Sequence, residues 1–310
     1  ICLMRLQSLS TKLCDNETST ALAREPCLSL PMSFNQDLIA AIEAACQDKN
    51  VPAVSGIHLP PARADGTPCK QFGAVELADG SCGFFSTHFD NALPALHSAI
   101  ESAPILSHSA LSLAQEFASK NAALCALGLG ASNALSQHHF ASSSHQLDLA
   151  PDPLVGLHPR GGDHVGMVGF FRPLLDLVPD EASLTIIEQE ARFLGEAGRF
   201  TMTLDLAQLK DCNPVFITAL TLLNGSLDEV LSHCSTSARI AVIGPTANCL
   251  PEPLFARGME TVGSARVVRL THFREKLLAG QPWAETVAKY CIHRDQYQGV
   301  GAGGSTAAKQ

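Results

Sequence analysis

Along residues 34–46, "FNQDLIAAIEAAC", apolar side chains return every third or fourth position with polar ones between, which predicts an amphipathic helix. The texture then shortens. "VPAVSGIHL" (51–59) reads as a strand and "PPARADGTPC" as a turn-rich loop. "QFGAVELADGSCGFFSTHF" (71–89) reads as two strands around "ADGS", because Asp-Gly favours a tight hairpin turn. Helical spacing resumes in "NALPALHSAIES", with Pro94 in the first turn, where its missing N–H does no harm. It continues over 109–137, with a break expected near Lys120–Asn121. The first region is therefore expected to be α+β.

"HHFASSSHQLDLAPDPLVGLHPRGG" (138–162) shows no apolar period and is punctuated by Pro and Gly, so it reads as a link between domains. Beyond it come "VGMVG", "LTIIEQ", "PVFITALTLL", "RIAVIG" and "ARVVRL", short unbroken β-rich runs separated by helical or turn-forming stretches. Unbroken runs imply strands buried on both faces, as in a parallel sheet covered by helices. The fold class expected is α/β, with a Rossmann-like C-terminal domain. The expected divisions are an extension over 1–31, an α+β domain over 32–145, a linker over 146–162, the Rossmann-like domain over 163–296 and a disordered tail over 297–310.

Composition narrows the function. Hydrophobic residues make up 46% of the 310, enough for a large core, and charged residues only 16%. The formal net charge of −9 and the lack of any Lys/Arg-rich stretch argue against a nucleic-acid partner, whose backbone demands cations. An anionic small molecule held by backbone amides is still allowed. No apolar run reaches the ~18–20 residues of a membrane span. The 11 cysteines, without any C-x-x-C, fit reduced thiols in a cytoplasmic protein. A small-molecule partner is expected, with no nucleic acid and no membrane, and homo-oligomerisation is left open.

Candidate chemistry gathers at strand ends. In "VGMVGFF", Gly166 and Gly169 would let a ligand approach the backbone, and Glu188 follows Gly169 by 19 residues, a spacing suited to an acidic residue meeting a hydroxyl. G-x-G-x-x-G is absent, and Phe170 and Phe171 stand where further glycines would be, which argues against a nicotinamide cofactor. In "TALTLLNGSLDEVL" (218–231) a β-run is expected to end at Asn224-Gly225-Ser226, with Ser226 capping the next helix and its amides open to an anion or carbonyl; Thr218 and Thr221 lie just upstream. "VIGPTANC" brings Gly244, Pro245 and Thr246 to the same edge, Thr246 with a hydroxyl for the rim. In "ALCALGLGASNALS" the small residues suit close packing, and Asn133 needs hydrogen-bond partners if buried, whether as a cap, a bridge or a ligand contact. His138, His139, His145, His158 and His164 lack metal-site spacing and read as surface or linker residues. Cys234, Cys249 and Cys291 read as core thiols.

Taken in order, "VGMVGFFRPLL", "IIEQ", "ITALTLLNGSLDEVL" and "VIGPTANCLPEPLFARGMETVGSARVV" resemble the putative heavy-metal chelation family, and "LGLGASNALS" resembles its upstream helix. The similarity covers roughly residues 35–292. Arg172 and "PTANC" depart from the family pattern. The resemblance implies an enolase N-terminal-like domain followed by a Rossmann-like one, with a site where they meet. It implies condensation or hydrolysis of a pterin-, flavin- or siderophore-like molecule in a setting of metal chelation. Glu188 would bind a hydroxyl or act as acid/base, Asn224, Ser226 and Thr246 would orient polar groups, and Phe170 and Phe171 would flank a flat ring. The alternatives are a metal-chelate carrier without chemistry and a methyltransferase-like enzyme, so a divalent metal and S-adenosylmethionine are the cofactor candidates.

Overall fold

The computed structural model describes residues 33–47, 50–102, 109–143, 145–149, 152, 154–188 and 200–299. All of them lie within one compact unit, Met32–Gln310. The extension 1–31 and residues 300–310 of the expected tail lie outside the described residues.

Helix α1 (Phe34–Cys46) buries Phe34, Leu38 and Ile42, the face its periodicity announced. Strands β1 (Val54–His58), β2 (Phe72–Leu77) and β3 (Cys82–Ser86) pair antiparallel in that order. Helices α2 (Ala92–Ser102), α3 (Ala110–Gln115) and α4 (Ala122–Ser142) follow. The break expected near Asn121 is a helix start. Its carboxamide oxygen accepts the N–H groups of Ala123 and Leu124, two donors that a helix leaves open.

α4 and β3 touch backbone to backbone: a Cβ added at Gly83 would stand 2.0 Å from the Gly130 carbonyl oxygen. The helix also runs to Ser142, into the segment read as a linker, and buries His139 and Phe140. Packing of those two side chains outweighs the polar composition around them.

The larger sheet contains β4 (His164–Val168), β5 (Ser183–Ile187), β6 (Thr201–Thr203), β7 (Val215–Thr218), β8 (Ile240–Ile243), β9 (Thr261–Val267) and β10 (Val287–His293). Its order is β10-β9-β8-β7-β4-β5-β6, parallel except for β10. This is the mixed α/β fold with a mainly parallel sheet that the apolar runs imply. Alternate residues face opposite sides. Val165 and Met167 pack with Leu184, Ile186 and Phe216 on one face. Val168, Ile187, Ile217 and Val242 face the other, in a cluster continuous with Phe34, Leu96, Phe117 and Leu127 of the N-terminal layer.

Two expectations about this region are corrected. "PVFITALTLL" is strand only to Thr218; residues Leu220–Asn224 are helix α6, since an apolar run alone does not separate a buried strand from a buried helix. β6 and β10 were not expected at all. β6 is three residues long, and β10 carries exposed Lys289 among its buried residues, so neither offers an unbroken apolar run. Short helices α5 (Arg172–Leu175), α7 (Leu227–His233) and α8 (Glu252–Phe255) and the longer α9 (Leu270–Leu278) complete the described elements. Among the described residues no helix is long and apolar enough to cross a membrane. At the start of the expected tail, Tyr297 donates its hydroxyl to Glu252 Oε1 at 2.7 Å.

Candidate functional site

The strand order reverses direction between β4 and β7: β5 and β6 continue to one side, β8 and β9 to the other. Connections leaving neighbouring strands in opposite directions open a crevice above their carboxyl ends. A cavity of about 700 Å³ lies there. Its floor is the exits of β4, β5, β7 and β8, and its opposite wall is Gln71, Phe72, His88, Phe89, Ala122 and Cys125 of the N-terminal layer.

At the β4 exit, Gly169 turns the chain at φ 86°, a conformation that favours glycine. Phe170 and Phe171 follow and line the cavity. The Phe170 N–H donates to Glu188 Oε2 at 3.2 Å, so the end of β5 is tied to the turn after β4. Glu188 also lines the cavity.

At the β7 exit, Leu220 N–H donates to Thr218 Oγ1 (3.3 Å) and the Thr221 hydroxyl donates to Thr218 O (2.7 Å). Thr218, Thr221, Asn224 and Ser226 all line the cavity; Gly225 does not. Ser226 makes no side-chain cap of α7. Because the strand ends at Thr218, Asn224 instead closes α6, with Gly225 left-handed at φ 73° after it. The Asn224 carboxamide oxygen accepts both the Ser226 N–H (3.0 Å) and hydroxyl (2.7 Å). The Ser226 amide at the start of α7 is therefore already bonded.

At the β8 exit, Gly244, Pro245 and Thr246 reach the cavity. The Thr246 hydroxyl is turned inward, donating to Ala219 O at 3.3 Å with the residue only 1% exposed. It braces two loops against each other and is not a rim hydroxyl.

Two sequence candidates lie away from the cavity. A Cβ at Gly166 would meet Cys212 Cβ at 2.9 Å, so this mid-strand glycine makes room for the Cys212 side chain. Asn133 is fully buried; its Nδ2 donates to Phe84 O (2.7 Å) and Thr246 O (3.0 Å). It bridges the N-terminal layer and the β8 loop. Gln71, Phe72, His88, Phe89 and Glu229 were not anticipated as lining residues. The signal available was "STHF", where polar and aromatic residues step out of an otherwise apolar strand.

The acidic residues among the described lining are Glu188 and Glu229, and His88 stands opposite them in the N-terminal layer. Cys125 is also there, but burial pushes its thiol up to about 11 and it donates to Phe117 O. Elsewhere histidines meet single carboxylates: His138 with Asp79 at 2.6 Å, His58 with Glu76 at 2.7 Å, His158 with Asp152 at 3.1 Å. His139, expected at the surface or in a linker, is buried in α4. Burial also raises the thiols of Cys249 to about 12 and of Cys234 and Cys291 to about 11. Among the described residues no group of three or more His, Cys, Asp or Glu is placed to hold a metal ion. A bare heavy-metal ion does not fit this donor set.

Residues 152–293 match the family described as "Putative heavy-metal chelation". An uncharacterized protein of Methanocaldococcus jannaschii is 26% identical over 144 residues, 46% of this chain and 54% of that protein. The chain thus spans about half the length of the curated relative it matches. Two solved structures of proteins with unknown function from the same family share the fold. The one from Pyrococcus horikoshii has a TM-score of 0.59 at 18% identity, covering 84% of this chain and 99% of that one. The one from Desulfitobacterium hafniense has a TM-score of 0.61 at 18% identity, covering 84% and 100%. At that identity the likeness speaks for the fold alone. The matched region 152–293 holds the large sheet and its carboxyl rim.

Proposed function

We propose that this protein binds a small planar molecule of chelator or heterocyclic type, such as a pterin, flavin or siderophore, in the cleft above the β4–β7 junction. The cleft itself carries the reading. At about 700 Å³ it falls in the range of small-ligand pockets, and it combines aromatic walls at Phe170 and Phe171 with a carboxylate at Glu188. The strand order supports a Rossmann-like sheet. Read from β6 through β9 and renumbered in chain order, it is 3-2-1-4-5-6. The antiparallel layer of β1–β3 with α1–α4 stands where the family resemblance puts an enolase N-terminal-like domain.

In this reading a heavy metal enters already wrapped by its own chelator, because the described residues of the lining offer too few donors for a naked ion. The aromatic rings bracket the chelator, and Glu188 accepts a hydrogen bond from it. If condensation or hydrolysis follows, Glu188 is the group to take or return a proton, provided the reacting atom sits within hydrogen-bond reach. The free thiols of Cys69, Cys82, Cys125, Cys212, Cys234, Cys249 and Cys291 support a reducing, cytoplasmic setting.

The test is a thermal-shift and calorimetric panel of pterins, flavins, siderophores, S-adenosylmethionine and divalent metal salts on the wild type and Glu188→Gln. One planar class should stabilise the wild type, by about 2.7 kcal/mol at a hundredfold excess over Kd. At the same ligand concentration the gain should fall to about 1.4 kcal/mol in Glu188→Gln, as a tenfold weaker Kd requires, while the ligand-free melting temperature holds. A panel without any stabiliser, or equal gains in both proteins, would defeat the reading.

A further inference from the structure

We propose that the ligand of this cleft carries no phosphate and meets the protein as a hydrogen-bond donor, in neutral or cationic form; the proposal rests on the cleft being a ligand site. Strand–helix junctions hold phosphates with backbone N–H groups aimed outward at the ligand. Here the first amides after each exit are turned onto the protein itself. After β4, Gly169 N–H goes to Ile187 O (2.8 Å), Phe170 N–H to Glu188 Oε2 (3.2 Å) and Phe171 N–H to Met167 Sδ (3.4 Å). The carboxylate of Glu188 thus lies on the amide that a phosphate oxygen would want.

The other exits repeat this. After β7, Ala219 N–H is bonded to Ile243 O (2.9 Å) and Leu220 N–H to Thr218 Oγ1 (3.3 Å). After β8, Gly244 N–H is bonded to Gly263 O (3.0 Å), and Pro245 has none to offer. Charge points the same way. The described lining carries the carboxylates of Glu188 and Glu229 but no Lys or Arg, within a chain of formal net charge −9. A dianionic phosphate would lose its water beside two carboxylates with no lysine or arginine of the described lining to meet it. A ring edge bearing N–H groups finds those acceptors complementary.

Riboflavin and riboflavin 5′-phosphate share one ring system and differ by the phosphate, so calorimetry on this pair, with lumichrome as the bare ring, isolates the effect. At low salt the wild type should bind riboflavin at least tenfold more tightly than its phosphate. The gap should narrow severalfold in Glu229→Gln and at high salt, where screening shortens the reach of the carboxylates. A phosphate ester that binds as tightly as riboflavin, or more tightly, would overturn the proposal while leaving the cleft a flavin-type site. Absence of heat from all three probes would overturn this proposal, while the wider panel decides separately whether the cleft takes another flat ring.

Discussion

Helix α4 and the carboxyl rim of the large sheet both carry small polar residues, but their hydrogen bonds lead to different ends. On α4, Asn133 donates to Thr246 O (3.0 Å), Gln137 donates to Asn248 O (2.9 Å), and Ser136 accepts from Leu250 N–H (2.9 Å). Those three side chains grip alternate residues of the 246–250 segment, and all three are buried. At the rim, Asn224 and Ser226 bond each other over a single turn and border open space. The first set fixes where the β8 loop stands relative to the N-terminal layer. The second shapes a surface a ligand can meet. Identical residue types therefore split into structural and binding roles according to whether their partners are distant in sequence or local.

Substitutions can pull these roles apart. Gly83→Ala should be the most damaging, since its Cβ would meet backbone at 2.0 and 2.1 Å where nothing can rotate away. A loss of about 3 kcal/mol or more is expected, near the upper end for overpacking, read by urea denaturation. Asn133→Ala orphans two buried carbonyls, Phe84 O and Thr246 O, and should cost about 2–3 kcal/mol by the same measurement. Its folded fraction should still bind ligand. Glu188→Gln is expected to show the reverse, a stability change within about 0.5 kcal/mol and roughly a tenfold loss of affinity for the best ligand of the panel. Asn224→Ala should have the smallest effect, about 0.5–1 kcal/mol from the lost turn. If Asn224→Ala proved as destabilising as Asn133→Ala, the division between grip and rim would be wrong.

Much of this was legible in the residues. The periodicity of 34–46 marks α1 to the residue, and "ADGS" marks the β2–β3 turn. The break expected near Lys120–Asn121 falls where α4 starts, with the Asn121 side chain as its cap. The strand ends were legible as a group, since buried parallel strands read as apolar runs and the rim lies where they stop. What stayed hidden depends on tertiary contacts. The turn after Thr218 follows from its hydroxyl accepting Leu220 N–H, which no apolar pattern encodes. The role of Gly166 is set by Cys212, and that of Asn133, Ser136 and Gln137 by a segment more than a hundred residues away. His88 and Phe89 face the cleft only because the small sheet is laid over the large one.

Hydrogen exchange with and without the tightest-binding member of the panel tests the central claim most directly. Bound ligand should slow exchange together at residues 169–171, 219–226 and 244–247 of the rim and at 71–72 and 88–89 of the facing layer. Slowing confined to other surfaces, or to one wall of the cleft alone, would contradict it.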